Sequence, residues 1–266
     1  MKLLKFLLPA LVALAPALAT AGTLDKIQSS KTLTIAFDPN VPPWSYKDQN
    51  LNYAGYEWMV ASKFAADNGL TLKAVETNGA NRIPLLMTGQ VDVVWTAMSI
   101  TDERKEVIDF SIPYAGTQTA VSGPPEVAIE TPEDLAGKSI AVARGTIMDD
   151  QLTKVAPAGT NIVRFEDEAT TLTSILSGQV PLVAQSTSLN YTIMKRDPSK
   201  VIEPKIILGT SLHGVGMRKG DEDLKALIDG WLLENMKSGE LQRMFEEAHE
   251  MPMPEFVTEA VLGKTD

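Results

Sequence analysis

Residues Gly89–Tyr114 read GQVDVVWTAMSITDERKEVIDFSIPY, and the fold follows from this stretch. Val91, Val93 and Val94 are β-branched and apolar, as a strand covered on both faces requires. Thr96 and Ser99 follow where that strand emerges, and Thr101 is an N-cap before Asp102 and Glu103. Arg104 then falls in the first helical turn, where the helix dipole disfavours a cation by a few tenths of a kcal/mol. An anion beside it would explain a positive charge at that end. The competing explanation is a pairing of Arg104 with Asp102 or Glu103 on a solvated face.

Working outward, residues 1–21 have the pattern of a secretory signal. Lys2 and Lys5 form its basic start, Phe6 to Leu18 its apolar core, and Ala19-Thr20-Ala21 an A-x-A cleavage site. A membrane anchor fits less well, because the apolar run is short and broken by Pro9 and Pro16. The chain has no cysteine, which excludes disulfides, thiolate chemistry and a lipid-modified N-terminal cysteine. Its two histidines, His213 and His249, are too few and too far apart for a zinc site, and His213 reads as a packed or interlobe residue. Net charge is −10, or −12 once Lys2 and Lys5 leave with the signal, which argues against nucleic acid and anionic lipid as partners.

Alternating strand and helix patterns predict α/β layers with mostly parallel sheets. Strands are expected at 32–37, 70–75, 139–143 and 180–184, and helices at 55–68, 83–88, 169–177 and 221–237. Thr131-Pro132-Glu133-Asp134 is a further helix start. A faint repeat bears on the architecture: Leu86-Met-Thr-Gly-Gln-Val91 recurs as Ile175-Leu-Ser-Gly-Gln-Val180, each with a glycine where a helix ends in a left-handed residue. Two lobes of one kind, one built around each copy, would account for it.

Ser99-Ile-Thr-Asp-Glu-Arg104 with Asp109-Phe-Ser-Ile-Pro-Tyr114 resembles the signature of the periplasmic amino-acid-binding proteins of ABC importers. The resemblance runs from about Leu24 to His249 and is more specific in the first lobe. It implies a type II periplasmic binding fold: two similar α/β lobes joined by two crossing strands, with the ligand cleft between them. The implied bounds are a signal at 1–21, the first part of lobe 1 at 22–115, lobe 2 at 116–212, and a return to lobe 1 with C-terminal helices at 213–266. The segment around His213–Lys219 resembles the family's return strand. Gly214, Gly216 and Gly220 have the wrong spacing for a dinucleotide fingerprint.

In open α/β sheets, strand ends face the crevice where ligands bind. The candidate positions are therefore Asp38, Trp44, Thr96, Ala97, Ser99, Gly145, Thr146 and Ser186. By resemblance, Arg104 takes the ligand carboxylate in a two-point grip suited to a guanidinium fork, Ser99 assists it, and Thr146 joins from lobe 2. The loop carrying Asp38 and Trp44 forms one wall, with Trp44 stacking on or capping the solute or else packing on Pro42 and Pro43. Gly145 lets backbone approach closely at a helix start that exposes free amides.

Two departures from the family pattern stand out. Ser186 occupies the place where relatives that bind α-amino acids usually carry an aspartate for the ammonium group. A buried ammonium without a carboxylate is costly, so either another acid replaces it or the solute lacks that group. Asp38 and Glu57 are the nearest substitutes, although Glu57 reads as a helix-surface residue. Ala97 stands where many relatives have a hydroxyl or a glycine. Arg144 would be a second cation at the cleft mouth, suited to a more anionic solute, or a surface residue paired with Asp149 or Asp150.

The resemblance implies a monomeric capture protein that delivers a small carboxylate or amino-acid-like solute to an inner-membrane permease, without cofactor or metal. Neither a nucleophile elbow, a zinc-protease motif nor a Walker loop is present. One alternative is a periplasmic dehydratase resembling cyclohexadienyl dehydratase, which would need a general acid or base at the reacting centre. Another is a partner that presents the solute to a membrane sensor.

Overall fold

The computed structural model describes residues 22–264; the signal reading falls on residues 1–21, outside them. Helix α1 (Thr23–Ser30) precedes strand β1 (Thr32–Phe37). Three short strands, β2 (Asn40–Val41), β3 (Ser45–Lys47) and β4 (Tyr53–Ala54), form a small sheet before α2 (Tyr56–Asp67). Then come β5 (Thr71–Glu76), α3 (Arg82–Met87), β6 (Val93–Val94), α4 (Asp102–Val107) and β7 (Ile108–Phe110), and the chain leaves along β8 (Ala115–Gly123). At the helix start expected from Thr131 onward stands only a 3-10 turn, Pro132–Leu135, where the Asp134 carboxylate accepts from the Thr131 amide at 2.9 Å. It leads to β9 (Ser139–Ala143), α5 (Ile147–Val155), β10 (Asn161–Phe165), α6 (Glu168–Leu176), β11 (Leu182–Ser186) and α7 (Thr187–Arg196). Strand β12 (Glu203–His213) returns to β13 (Gly216–Arg218), and α8 (Glu222–Lys237), α9 (Glu240–His249) and α10 (Glu255–Leu262) close the chain.

Two five-stranded sheets result, ordered β5-β1-β6-β13-β7 and β10-β9-β11-β8-β12. Neither is mostly parallel, which corrects that expectation. In the first sheet β1 runs parallel to β5 and β6, while β13 is antiparallel to β6 and β7. The second repeats the pattern, with β9 parallel to β10 and β11, and β8 antiparallel to β11 and β12. The cause is the crossing itself. A chain that leaves one lobe on β8 and returns on β12 lays these strands side by side in opposite directions, with Ala115 opposite His213 and Gly123 opposite Glu203.

Each sheet is covered on both faces. Around the first, Leu33, Ile35 and Phe37 pack with Tyr56, Phe64 and Trp231, while Ala36 and Val94 turn to Leu86, Met98 and Phe110. The second is sandwiched between a cluster around Ile140, Val142, Leu152 and Leu182 and one around Ala141, Leu172, Ile175 and Val183. The sequence repeat is structural: Gly89 (φ 73°) and Gly178 (φ 75°) follow the ends of α3 and α6, each taking the left-handed turn that redirects the chain toward β6 or β11. Among the described residues no helix is long and apolar enough to cross a membrane.

Candidate functional site

The two lobes enclose a cavity lined from the first by Asp38, Val41, Trp44, Gly79, Arg82, Thr96, Ala97 and Ser99. From the crossing strands and the second lobe come Thr117, His213, Thr146, Ile147, Met148, Glu168 and Ser186. The lobes also touch around it. Loop residues Gly79 and Ala80 abut Arg144 and Gly145 so closely that a Cβ added at Gly145 (φ +72°) would lie 3.1 Å from Ala80 Cα. Only glycine combines that left-handed backbone with that approach.

Arg104 is buried in the first turn of α4, whose N-cap Thr101 accepts from the Arg104 amide at 3.2 Å. It does not pair with Asp102, which binds Lys105 instead at 3.2 Å. Its Nη1 donates to Ser99 O (2.9 Å) and its Nη2 crosses the cleft to Gly145 O (3.3 Å). It stands beside the cavity, whereas Ser99 and Thr146 line it. Thr146 caps α5, accepting from the Asp149 amide (3.3 Å) and donating to Ala143 O (2.8 Å). Arg144 is half exposed, lies outside the lining and pairs with Glu166 at 3.4 Å, not with Asp149 or Asp150.

Asp38 ends β1 and is buried; its Oδ1 accepts from the Asn40 amide (3.1 Å) and side chain (3.3 Å). Burial raises its carboxyl to about 6 despite those bonds. Thr96 accepts from the Asp38 amide at 3.1 Å, tying β6 to β1. Ala97 takes a left-handed backbone (φ 39°), a conformation that costs a non-glycine residue roughly 1 kcal/mol or more.

Trp44 is a buried wall residue packed edge-on against Tyr56, Phe245 and His249, rather than a rim residue. Its indole nitrogen crosses the cleft to Ser188 Oγ at 3.2 Å. Ser188 in turn lies 2.8 Å from Ser186 Oγ, which also bonds Thr117 Oγ1. The Ser186 hydroxyl is therefore engaged in a chain that joins a crossing strand, β11, the first turn of α7 and lobe 1.

Glu57 is corrected outright: it is fully buried beneath the site, where it accepts from the Tyr114 hydroxyl and does not line the cavity. His213 is packed and interlobe, as expected, with its ring 4.7 Å from Trp44, and it lines the cavity. Burial, reinforced by Arg82, pushes its imidazole down to about 3, so it is neutral.

Two charged lining residues escaped the sequence reading, each one position ahead of the expected helix start. Arg82 opens α3, is buried, and donates from Nη1 to Thr96 O at 3.2 Å, while its Nε has no partner. Burial and the neighbouring Arg104 lower it to about 9. A cation in a first helical turn is the same signal that singled out Arg104, so it was available. Glu168 opens α6, and there the sequence offered no signal, because an acid at a helix N-terminus is explained by the dipole alone. Among the described residues no group of acids and histidines is arranged to hold a metal ion.

Polar groups of both lobes converge on this one cavity, the arrangement of a binding cleft. Comparisons agree. The L-cystine-binding protein TcyJ of Escherichia coli is 27% identical over 230 residues, covering 86% of each chain. A mutant of ArgBP from T. maritima superposes with a TM-score of 0.79 at 28% identity, covering 86% of this chain and 100% of that one. The ancestral amino acid-binding protein AncCDT-1, a precursor of cyclohexadienyl dehydratase, gives 0.78 at 29% identity, covering 85% and 99%. The family model of the bacterial extracellular solute-binding proteins, family 3, matches residues 33–250, and the chain belongs to that family.

Proposed function

We propose that the protein captures an amino acid or amino-acid-like carboxylate in the periplasm and, as a monomer, hands it to the permease of an ABC importer. The observation that carries this reading is the cavity between the lobes, with buried acidic and basic side chains at its walls. The relatives named for cystine and for amino acids support the solute class. Residues 1–21 serve as the signal, 22–115 and 213–266 as lobe 1, and 116–212 as lobe 2.

In this reading Arg104 holds the carboxylate, assisted by Ser99 and Thr146. Arg104 already reaches from Ser99 to Gly145, so an anion seated on it engages both lobes and favours closure. Asp38, Trp44, Thr96 and Ala97 form the lobe-1 wall. Ser186 holds the hydroxyl chain that keeps Trp44 across the cleft.

The test is a thermal-shift screen of refolded mature protein against α-amino acids, their keto and hydroxy analogues, dicarboxylates and aromatic acids. A ligand at about a hundred times its dissociation constant stabilises by about 2.7 kcal/mol, a shift of several degrees for this size. Arg104→Ala, which removes two charge-assisted bonds of about 1.5–3 kcal/mol each, weakens the best hit by roughly a hundredfold or more. Near-normal affinity in that variant refutes the clasp. If Arg82→Ala alone abolishes binding, the carboxylate sits on Arg82.

A further inference from the structure

The carboxylate clasp leaves the negative charge of the cavity unused. Glu168 is 4% exposed, lines the cavity, and its Oε2 has no hydrogen-bond partner. An acid at a helix start is ordinarily a solvated answer to the dipole, and burial removes that explanation. A buried carboxylate needs a cation, several donors or a proton. Arg82, which lines the same cavity, spends Nη1 on Thr96 O. Facing Glu168 from the other lobe is Asp38, whose charge opposes ionisation of Glu168, as does that of Asp167 at the N-cap of α6, while Arg82 favours it. Burial, with those neighbours, pushes the Glu168 carboxyl up to about 8. Two carboxylates of opposite lobes thus share one space with two guanidinium groups near it, and a zwitterion leaves this set electrically balanced.

We propose that Glu168, with Asp38 across the cleft, takes the α-ammonium group of the solute, supplying from the start of α6 the negative charge that Ser186 lacks. The proposal rests on the amino-acid reading above and names the residue that selects for the amine. It also accounts for the serine: position 186 is free to build the hydroxyl chain because the acid stands elsewhere. With the carboxylate on Arg104 and the ammonium on Glu168, the solute draws α4 of one lobe toward α6 of the other.

The experiment screens the twenty common L-amino acids by thermal shift. The strongest hit and its 2-hydroxy-acid counterpart then go into calorimetry against the wild type, Glu168→Gln and Arg104→Ala. The wild type should prefer the amino acid, and Glu168→Gln should weaken it about ten- to a hundredfold while leaving the hydroxy acid nearly unchanged. Arg104→Ala should weaken both together. A Glu168→Gln protein that keeps the preference overturns the proposal, as does a wild type that binds no amino acid or binds both compounds equally. If Arg104→Ala changes neither affinity while Glu168→Gln removes the preference, the carboxylate assignment fails and this one stands. A wild-type measurement covers the case in which Glu168→Gln does not fold. At pH 7, calorimetry in two buffers of different ionisation heat should show the amino acid releasing close to one proton, as the ammonium ionises Glu168. The hydroxy acid should release none. Equal proton counts for the two compounds also overturn it.

Discussion

Glu57 allows a sharp test of how the floor of the site is built. It is fully buried, and its carboxylate accepts from the Tyr114 hydroxyl. Burial raises its carboxyl from 4.5 to about 7, against the lowering effect of Tyr114. Between those two values the folded protein holds a proton that the unfolded chain releases, so this group's contribution to stability falls as pH rises through that window. The difference amounts to about 3 kcal/mol. Asp38 and Glu168, also raised, act in the same direction, while His213 and His249, lowered to about 3 and about 4, act in the opposite one. The informative quantity is therefore the difference between Glu57→Gln and the wild type. The amide keeps the shape and stays neutral, so urea unfolding at intervals from pH 4 to 8 should show the variant gaining about 3 kcal/mol on the wild type across that range. In thermal unfolding this is a relative swing of roughly 6–12 °C. Tyr114→Phe, which removes the donor to the carboxylate, should move the wild-type window to higher pH. Stability curves for Glu57→Gln and the wild type that run parallel would mean that Glu57 titrates in the folded protein as it does in the unfolded chain, and the argument fails.

Two further outcomes concern closure. Gly145→Ala places a Cβ 3.1 Å from Ala80 Cα on a left-handed backbone, so solute affinity measured by calorimetry should fall by roughly tenfold, and unchanged affinity would show that the loops do not meet in the bound state. On the outside of the cleft, Glu250 at the end of α9 accepts from Lys195 Nζ and the Tyr191 hydroxyl of α7, both at 2.7 Å. Glu250→Ala should raise the solute's dissociation rate at low salt, by stopped-flow fluorescence, and the difference should vanish at high salt; a salt-independent difference would exclude an electrostatic latch.

Much of the layout was legible along the chain. Val91 to Arg104 gave a strand, a hydroxyl-bearing turn and a capped helix because each depends on near neighbours: β-branching, an N-cap and a dipole. Gly89 and Gly178 could be paired because a left-handed helix exit requires the same residue in both lobes. The antiparallel halves of the sheets were not legible, since β8 and β12 meet across a hundred residues and local pattern carries no strand direction. Charge placement divides in the same way. Residue types determined that Arg104 sits at a helix start, and by the same rule Arg82 could have been found. Whether Glu57 and Glu168 face water depends on what packs over them, and here that is α2's own core for one and the opposite lobe for the other. Local sequence thus determined the elements and the family signature. Only the tertiary structure decided which carboxylates are stripped of water, because desolvation is a property of everything that surrounds a group and not of its position in the chain.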